Sequence, residues 1–210
     1  MCSVRTISRK GFLMDVRIQQ VPAHIGWYLA GFADGEGSFN VSFRPRSDYR
    51  MPWKVSLCFN ISQKDRVILA LVKRWLGCGT MRGRPDGVWY FEVNNLNAIV
   101  EFVIPFFKRF GFLSAKKKRD FAKFCELASL LKAGRHHTYE GIERILHIRR
   151  DMNDGGKRRY SDEDILQRLR EKESSETLRR TQAIGMIKSD LSSDGKSCAE
   201  MAQPLLTQQE

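Results

Sequence analysis

The chain has 210 residues, enough for one domain or somewhat more, and folding at this length buries about 70% of the unfolded surface, so a real core is attainable. With 42% apolar residues, 10% aromatics and 13 Phe it is neither disordered nor collagen-like, and no apolar run approaches the ~20 residues of a membrane span or the core of a secretory signal. Lysine and arginine number 36 against 24 acidic residues, a net charge of +12 that suits a polyanionic partner. The excess sits in residues 1–150, with 26 basic and 12 acidic residues, whereas 151–210 carry 10 and 12.

Residues 1–24 hold Arg5, Arg9, Lys10 and Arg17 with no acid before Asp15, and read as a dispensable basic arm or a weak organellar transit segment, with Met14 as an alternative start. A helical pattern from Gly26 to about Asp34 follows Pro22, which suits a helix entrance. The period then changes to two. Ser38, Asn40, Ser42, Arg44 and Arg46 alternate with Phe39, Val41 and Phe43; after a turn through Pro45, Ser47 and Asp48, Lys54, Ser56, Cys58 and Asn60 alternate with Val55, Leu57, Phe59 and Ile61. This predicts an antiparallel hairpin with one polar, basic face. Residues 64–76 are helical and end at Gly77. A second hairpin runs through Thr80–Arg84, the turn Pro85-Asp86-Gly87, and Val88–Val93, whose facing the nearly unbroken apolar run leaves open. Helices follow at about 95–109, 116–132 and 138–151, so the order predicts an α+β domain, αββαββα with added C-terminal helices, around a four-stranded antiparallel sheet. The domain spans 25–160. No aromatic follows Tyr160, and 161–210 read as a polar extension, helical at 162–172 and mobile from 173 on. Five cysteines, with no CxxC pair and no His at zinc spacing, read as free thiols in a reducing compartment.

The segment from Leu29 to Gly37, LAGFADGEG, carries the chemistry. Gly31 and Gly35 lie four residues apart within a helix, each costing about 1 kcal/mol relative to Ala, and close approach of another helix is the natural compensation. Asp34 and Glu36 fall at the helix C-terminus, where the dipole disfavours carboxylates, so a cation is an obvious reason for them. Acid beside a basic polar sheet fits a divalent metal held between carboxylate and phosphate.

The string LAGFADGEGSF and the alternating hairpin after it resemble the LAGLIDADG homing endonucleases, and the likeness extends over about 25–160 through Phe59-Asn60-Ile61-Ser62-Gln63-Lys64, Lys116-Lys117-Lys118-Arg119-Asp120-Phe121 and His137 to Arg159. The resemblance implies that Glu36 is a metal-binding acid, that the Gly35 carbonyl is a backbone ligand, and that Asp34 does mainly capping or interface work. It further implies that Gln63 positions attacking water and that Lys116 lies near the scissile phosphate, with Lys117 and Lys118 as alternatives for that role. It implies Mg²⁺ as cofactor and, since one chain carries one motif, a homodimer joined through Gly31, Gly35 and Asp34. The partner would be double-stranded DNA, read in the major groove by Ser38, Asn40, Ser42, Arg44, Arg46, Lys54, Ser56, Cys58 and Asn60, extended by Arg82, Arg84, Lys117 and Lys118. Nine residues at ~3.3 Å cover about nine base pairs, so a dimer would read a pseudo-palindrome of about 20. Two other functions remain open on this scaffold: a maturase bound to its own intron RNA, and a non-cleaving DNA-binding regulator. Bacterial cytoplasm and organelle are both open as the compartment.

Overall fold

The alternation over 38–61 becomes, in a computed structural model of the chain, the first hairpin of a four-stranded antiparallel sheet: β1 (Gly37–Pro45) pairs with β2 (Trp53–Gln63), Gly37 opposite Ile61 and Arg44 opposite Lys54. The structure describes residues 18–47, 51–153, 158–175 and 177. The readings made for 1–17 and 178–210 lie outside these. The chain divides into two units, Met1–Ile165 and Leu166–Glu210; the first holds everything discussed below, and the described part of the second is helical. Among the described residues no helix is long and apolar enough to cross a membrane.

Before β1 lies α1 (Ala23–Glu36), entered at Pro22 and joined to the strand with no intervening loop. After β2 comes α2 (Arg66–Leu76), started by Asp65, whose carboxylate accepts from Val67 N–H at 2.7 Å, and stopped by Gly77 in the left-handed region at φ 73°. Ile68, Leu69, Val72 and Leu76 form its buried stripe. The short strands β3 (Thr80–Gly83) and β4 (Trp89–Val93) complete the sheet in the order β1-β2-β4-β3. Pairing of Asn60 with Glu92 and Ile61 with Phe91 settles the facing of β4: Phe91 and Val93 enter the core, Tyr90 and Glu92 join the polar face.

The helix expected over 95–109 is interrupted. In α3, Leu96–Ala98 and Ile104–Phe110 are α-helical and Ile99–Val103 between them is a π-helix, with Ile104 N–H donating to Ile99 O. Pro105 follows directly. It has no N–H to give to the carbonyl four residues back, and the wider turn absorbs that gap in the ladder. Next come α4 (Ala115–Lys132), with Ser114 as N-cap, and α5 (Tyr139–Arg150), with Thr138 as N-cap. Among the described residues α1, α2, α3 and α4 all contact the sheet, whose buried side chains include Phe39, Phe43, Leu57, Phe59, Phe91 and Val93. The core between is a phenylalanine cluster: Phe39 meets Phe59 at 5.1 Å and Phe124 at 4.9 Å, and Phe107 meets Phe112 at 4.7 Å, centroid to centroid. Each such side chain contributes about 1.5–3 kcal/mol through burial.

The packed unit extends past both expected boundaries. Val21 is buried, and Ile165 is buried with its carbonyl accepting from the Trp53 indole at 3.1 Å, because each supplies an apolar side chain that the core covers. Arg46, expected on β1, lies just beyond it, although its N–H still reaches Pro52 O at 2.8 Å.

Candidate active site and nucleic-acid interface

Leu29, Ala30 and Ala33 turn one side of α1 into the core. The other side is open. Trp27 and Tyr28 are 56% and 57% exposed, and a Cβ built on Gly31 or Gly35 would meet nothing within 4 Å. Gly26 differs: its Cβ would come within 2.2 Å of the Phe110 ring, so that glycine is required inside the chain. Trp27, Gly31 and Gly35 follow one another at i, i+4 and i+8 and share the open face.

Where α1 ends, its acids part. Asp34 accepts from Leu113 N–H at 3.1 Å, Ser114 N–H at 2.9 Å and the Ser114 hydroxyl. Of the capping and interface roles expected for Asp34, these bonds are of the capping kind: its carboxylate ties the motif helix to the start of α4. Burial pushes the Asp34 carboxyl up, but the Ser114 hydroxyl, the two N–H groups and Lys117 together hold it below the usual range. Glu36 is the last residue of α1 and stays exposed. Gly37 N–H returns to Ala33 O, so the helix itself provides no donor for the Gly35 carbonyl.

Of the three lysines opening α4, Lys117 points at the motif. Its ammonium donates to Gly37 O, and burial pushes its pKa down against the pull of Asp120, Asp34 and Glu36. Lys116 and Lys118 are exposed on the same turn. Gln63 ends β2 beside this corner, half-buried, with its Oε1 accepting from Lys64 N–H at 2.9 Å.

From the corner the polar face runs down the hairpin in facing pairs: Ser38 with Asn60, Asn40 with Cys58, Ser42 with Ser56, Arg44 with Lys54. Asn40 is held in place by its neighbours. Its amide donates to Ser38 Oγ at 3.1 Å and its Oδ1 accepts from Asn153 at 3.1 Å, which leaves one N–H and one lone pair outward. Cys58 is pushed up to about 11 by burial and by Glu92, so it is a neutral thiol at physiological pH. Beyond β2 the face continues through Thr80, Arg82, Tyr90 and Glu92. Arg82 is bound by the Glu92 carboxylate; Arg84 pairs with Asp86 at 3.3 Å and lies over the Tyr90 ring at 5.3 Å.

Sequence reasoning brought the β1–β2 residues, Arg82 and Arg84 to one face, as found. It missed Glu92 and Tyr90, whose alternate positions in β4 are the only trace, and Asn153, which clasps the edge of β1 through Phe39 O at 2.8 Å.

A sequence profile of LAGLIDADG endonucleases matches residues 29–128. The homing endonuclease I-ApeII of Aeropyrum pernix is 30% identical over 146 residues, 66% of this chain and 86% of that protein. A probable intron-encoded endonuclease of Neurospora crassa is 30% identical over 132 residues, 61% of this chain and only 29% of that protein. Among solved structures, I-LtrWI bound to target DNA superposes with a TM-score of 0.61 at 31% identity, over 64% of this chain and 46% of that one. The archaeal I-Vdi141I complexed with DNA gives 0.64 at 27% identity, over 71% of this chain and 96% of that one. A single motif helix leading without a loop into a basic antiparallel sheet, together with these likenesses, shows that the chain belongs to the LAGLIDADG endonuclease family.

Proposed function

We propose that this chain is a site-specific, intron-encoded DNA endonuclease that acts as a homodimer and cuts both strands of a duplex with Mg²⁺. One observation carries the reading: the Glu36 carboxylate stands one residue before a strand whose outward side chains, Ser38, Asn40, Ser42 and Arg44, are polar throughout and end in a basic pair with Lys54. A two-stranded ribbon of this kind fits a major groove, where Arg44 suits guanine and Asn60 suits adenine. At ~3.3 Å per residue the nine residues of β1 span about nine base pairs, and two protomers about 20.

The donor chemistry fits the metal. Glu36 and the Gly35 carbonyl offer hard oxygens, as Mg²⁺ prefers. Among the described residues no three His, Cys, Asp or Glu cluster, so one chain offers part of a coordination shell and a second motif helix would supply the rest. Bound there, the cation would neutralise charge on the attacked phosphate and lower the pKa of its water. In this reading Gln63 orients the attacking water, Lys116 faces the scissile phosphate, and Lys117 fixes Gly37 and with it the direction of Glu36. The open face of Trp27, Gly31 and Gly35 supports the dimer, since helical glycines that serve nothing within the chain serve a neighbour.

The test is cleavage of a library of partly randomised duplexes with Mg²⁺, alongside a mobility shift, for wild type and Glu36→Gln. The variant should lose cutting and keep affinity within about tenfold, because phosphate contacts are spread over the sheet while the metal ligand acts on the chemical step. Cutting at the wild-type rate would remove Glu36 from the mechanism. A wild type that cuts no duplex yet binds its own intron RNA tightly would replace the endonuclease with a maturase.

A further inference from the structure

β1 is an edge strand of the sheet, and carbonyls along its outer side have no neighbouring strand to accept from. At Phe39 a side chain takes that place. Asn153 Nδ2 donates to Phe39 O at 2.8 Å and, with its second hydrogen, to Asn40 Oδ1 at 3.1 Å, so both of its donors are used. Asn40 Nδ2 in turn donates to Ser38 Oγ at 3.1 Å. The direction of this chain of bonds is set at one end. An amide can turn by half a circle and exchange its oxygen and nitrogen, but a backbone carbonyl only accepts, so the group facing Phe39 O is the nitrogen of Asn153. That nitrogen requires the oxygen of Asn40 on its side and leaves the Asn40 nitrogen toward Ser38. Asn153 is itself held. Among the described residues it is the one non-glycine with a positive φ, 52°, and its N–H donates to the buried Asp120 at 3.3 Å. Asparagine tolerates the left-handed region better than most residues, and backbone kept there points to a use for the side chain it aims. The turn is fixed from behind as well: Met152 is buried, and its N–H donates at 3.2 Å to the carbonyl of Arg149, a buried arginine at the end of α5.

We propose that Asn153 is a positioning residue for sequence recognition: by fixing which way the Asn40 amide points, it lets Asn40 read an adenine. Asparagine recognises adenine with an N–H donated to N7 and its oxygen accepting from N6, a pairing that tells one base from the others by about 5- to 150-fold. The pairing fails when the amide is reversed, since oxygen then faces N7 and nitrogen faces N6. On an asparagine that nothing holds, the two orientations compete and part of the preference goes. Asn40 is half-buried on the outward face of β1 and, after its bonds to Ser38 and Asn153, keeps one N–H and one lone pair for a base. It stands only four residues from Glu36, so the base pair concerned lies toward the proposed cut and not at the outer ends of the site. The inference rests on the DNA-binding reading above and adds a residue that selects a base through another side chain.

Asn153→Gly tests it, because glycine accepts a φ of 52° and only the side chain is lost. The readout is the cleavage profile of a library of partly randomised duplexes with Mg²⁺, with urea midpoints measured alongside. Preference should fall by about fivefold or more at one symmetric pair of positions and stay as it was at the others. Asn40→Ala should erase the preference at that same pair, and adding Asn153→Gly to it should change nothing further there. Asn153→Asp keeps the size of the side chain but offers acceptors only, so the Asn40 nitrogen turns toward it and the preference should fall at least as far. If Asn153→Gly does not fold, Asn153→Asp decides. A profile left unchanged by these substitutions at Asn153 overturns the positioning role. A preference weakened evenly at all positions, with a lowered urea midpoint, overturns it too and makes Asn153 a brace of the fold. Asn40→Ala with a wild-type profile overturns it and leaves the endonuclease reading intact, whereas a wild type that neither binds nor cuts any duplex overturns both.

Discussion

Replacing Gly31 by Ala separates the isolated chain from the assembled one, and the two should respond with opposite sign. Within one chain the new methyl meets nothing within 4 Å, so no packing is disturbed. What remains is helix propensity, where Ala exceeds Gly by 0.8–1.0 kcal/mol at an interior position. In dilute solution, with protomers separate, Gly31→Ala should therefore raise stability by about 1 kcal/mol, and the melting temperature by roughly 2–4 °C for a chain of this size. If α1 packs on its own copy, two added methyls enter a helix contact that the glycines keep close, and overpacking costs typically 1–3 kcal/mol. Dimerisation should then weaken by about 5- to 150-fold. Urea unfolding at low concentration reads the first quantity and sedimentation over a concentration series the second. Gly26→Ala is the internal control: with its Cβ at 2.2 Å from the Phe110 ring it should destabilise the dilute chain. A dimerisation constant unaltered by Gly31→Ala would refute the helix-to-helix interface, and a destabilised dilute chain would refute the claim that this face has no role within the protomer.

Asp34→Asn should cost about 1–2 kcal/mol at neutral pH, less than three charge-assisted hydrogen bonds would suggest because the site is open to water. The carboxyl has its pKa lowered by folding, so its contribution is present above the unfolded value of 3.8 and is lost as pH falls through the folded one; the gap between wild type and variant in urea midpoints should be constant from pH 5 to 7 and close below about pH 4. Lys116→Met should slow cleavage by about 10²–10³ with DNA affinity little changed, whereas Lys117→Met should mainly lower stability by freeing the Gly37 carbonyl; single-turnover cleavage showing the reverse would transfer the phosphate-facing role to Lys117. Glu92→Gln frees Arg82 and should relax base preference at one symmetric pair of positions in a cleavage library, while changing stability by less than about 1 kcal/mol because the Arg82 side of the pair lies in water; an unaltered profile would take Glu92 out of readout.

The β1–β2 hairpin was legible because a period of two with one polar face admits a single orientation, and Gly37 opposite Ile61 through Arg44 opposite Lys54 is the register that keeps Phe39, Leu57 and Phe59 inside together. The facing of β4 was not, since Trp89 to Val93 is apolar at nearly every position; only pairing with β2 sends Glu92 outward. Three adjacent lysines look alike in sequence, although the buried positions Asp120, Phe124, Leu127 and Leu131 of α4 extend back to 117 at helical spacing, and that phase is what brings Lys117 to Gly37. Arg149 was invisible for a different reason. In the run Ile148-Arg149-Arg150-Asp151 it reads as the exposed, dipole-matched end of a helix, and it becomes buried only because Arg158, Tyr160 and Asp162 return across it from further along the chain. Pattern reasoning reaches what is local in period and fails where a distant segment decides burial.

The direct passage from α1 to β1 has a consequence for how cutting and reading are related. Because Glu36 ends the helix and Gly37 begins the strand, no flexible segment separates the proposed metal ligand from the side chains proposed to read bases. Gly37 is held on both sides: a Cβ there would lie 2.6 Å from the Ala33 carbonyl, and its own carbonyl accepts from Lys117. From Glu36 to Arg44 is eight residues of strand, about 26 Å at ~3.3 Å each. That distance cannot vary without breaking the β1–β2 ladder, and a slip of one residue would turn Phe39 and Phe43 out to water. Under the proposed function, the scissile position relative to the bases read would thus be a property of sheet register, anchored by the same phenylalanine core that stabilises the fold. Substitutions on the outward face are free to change which bases are preferred, while the place of cutting within the site should stay fixed as long as Phe39, Phe59 and Phe124 remain packed.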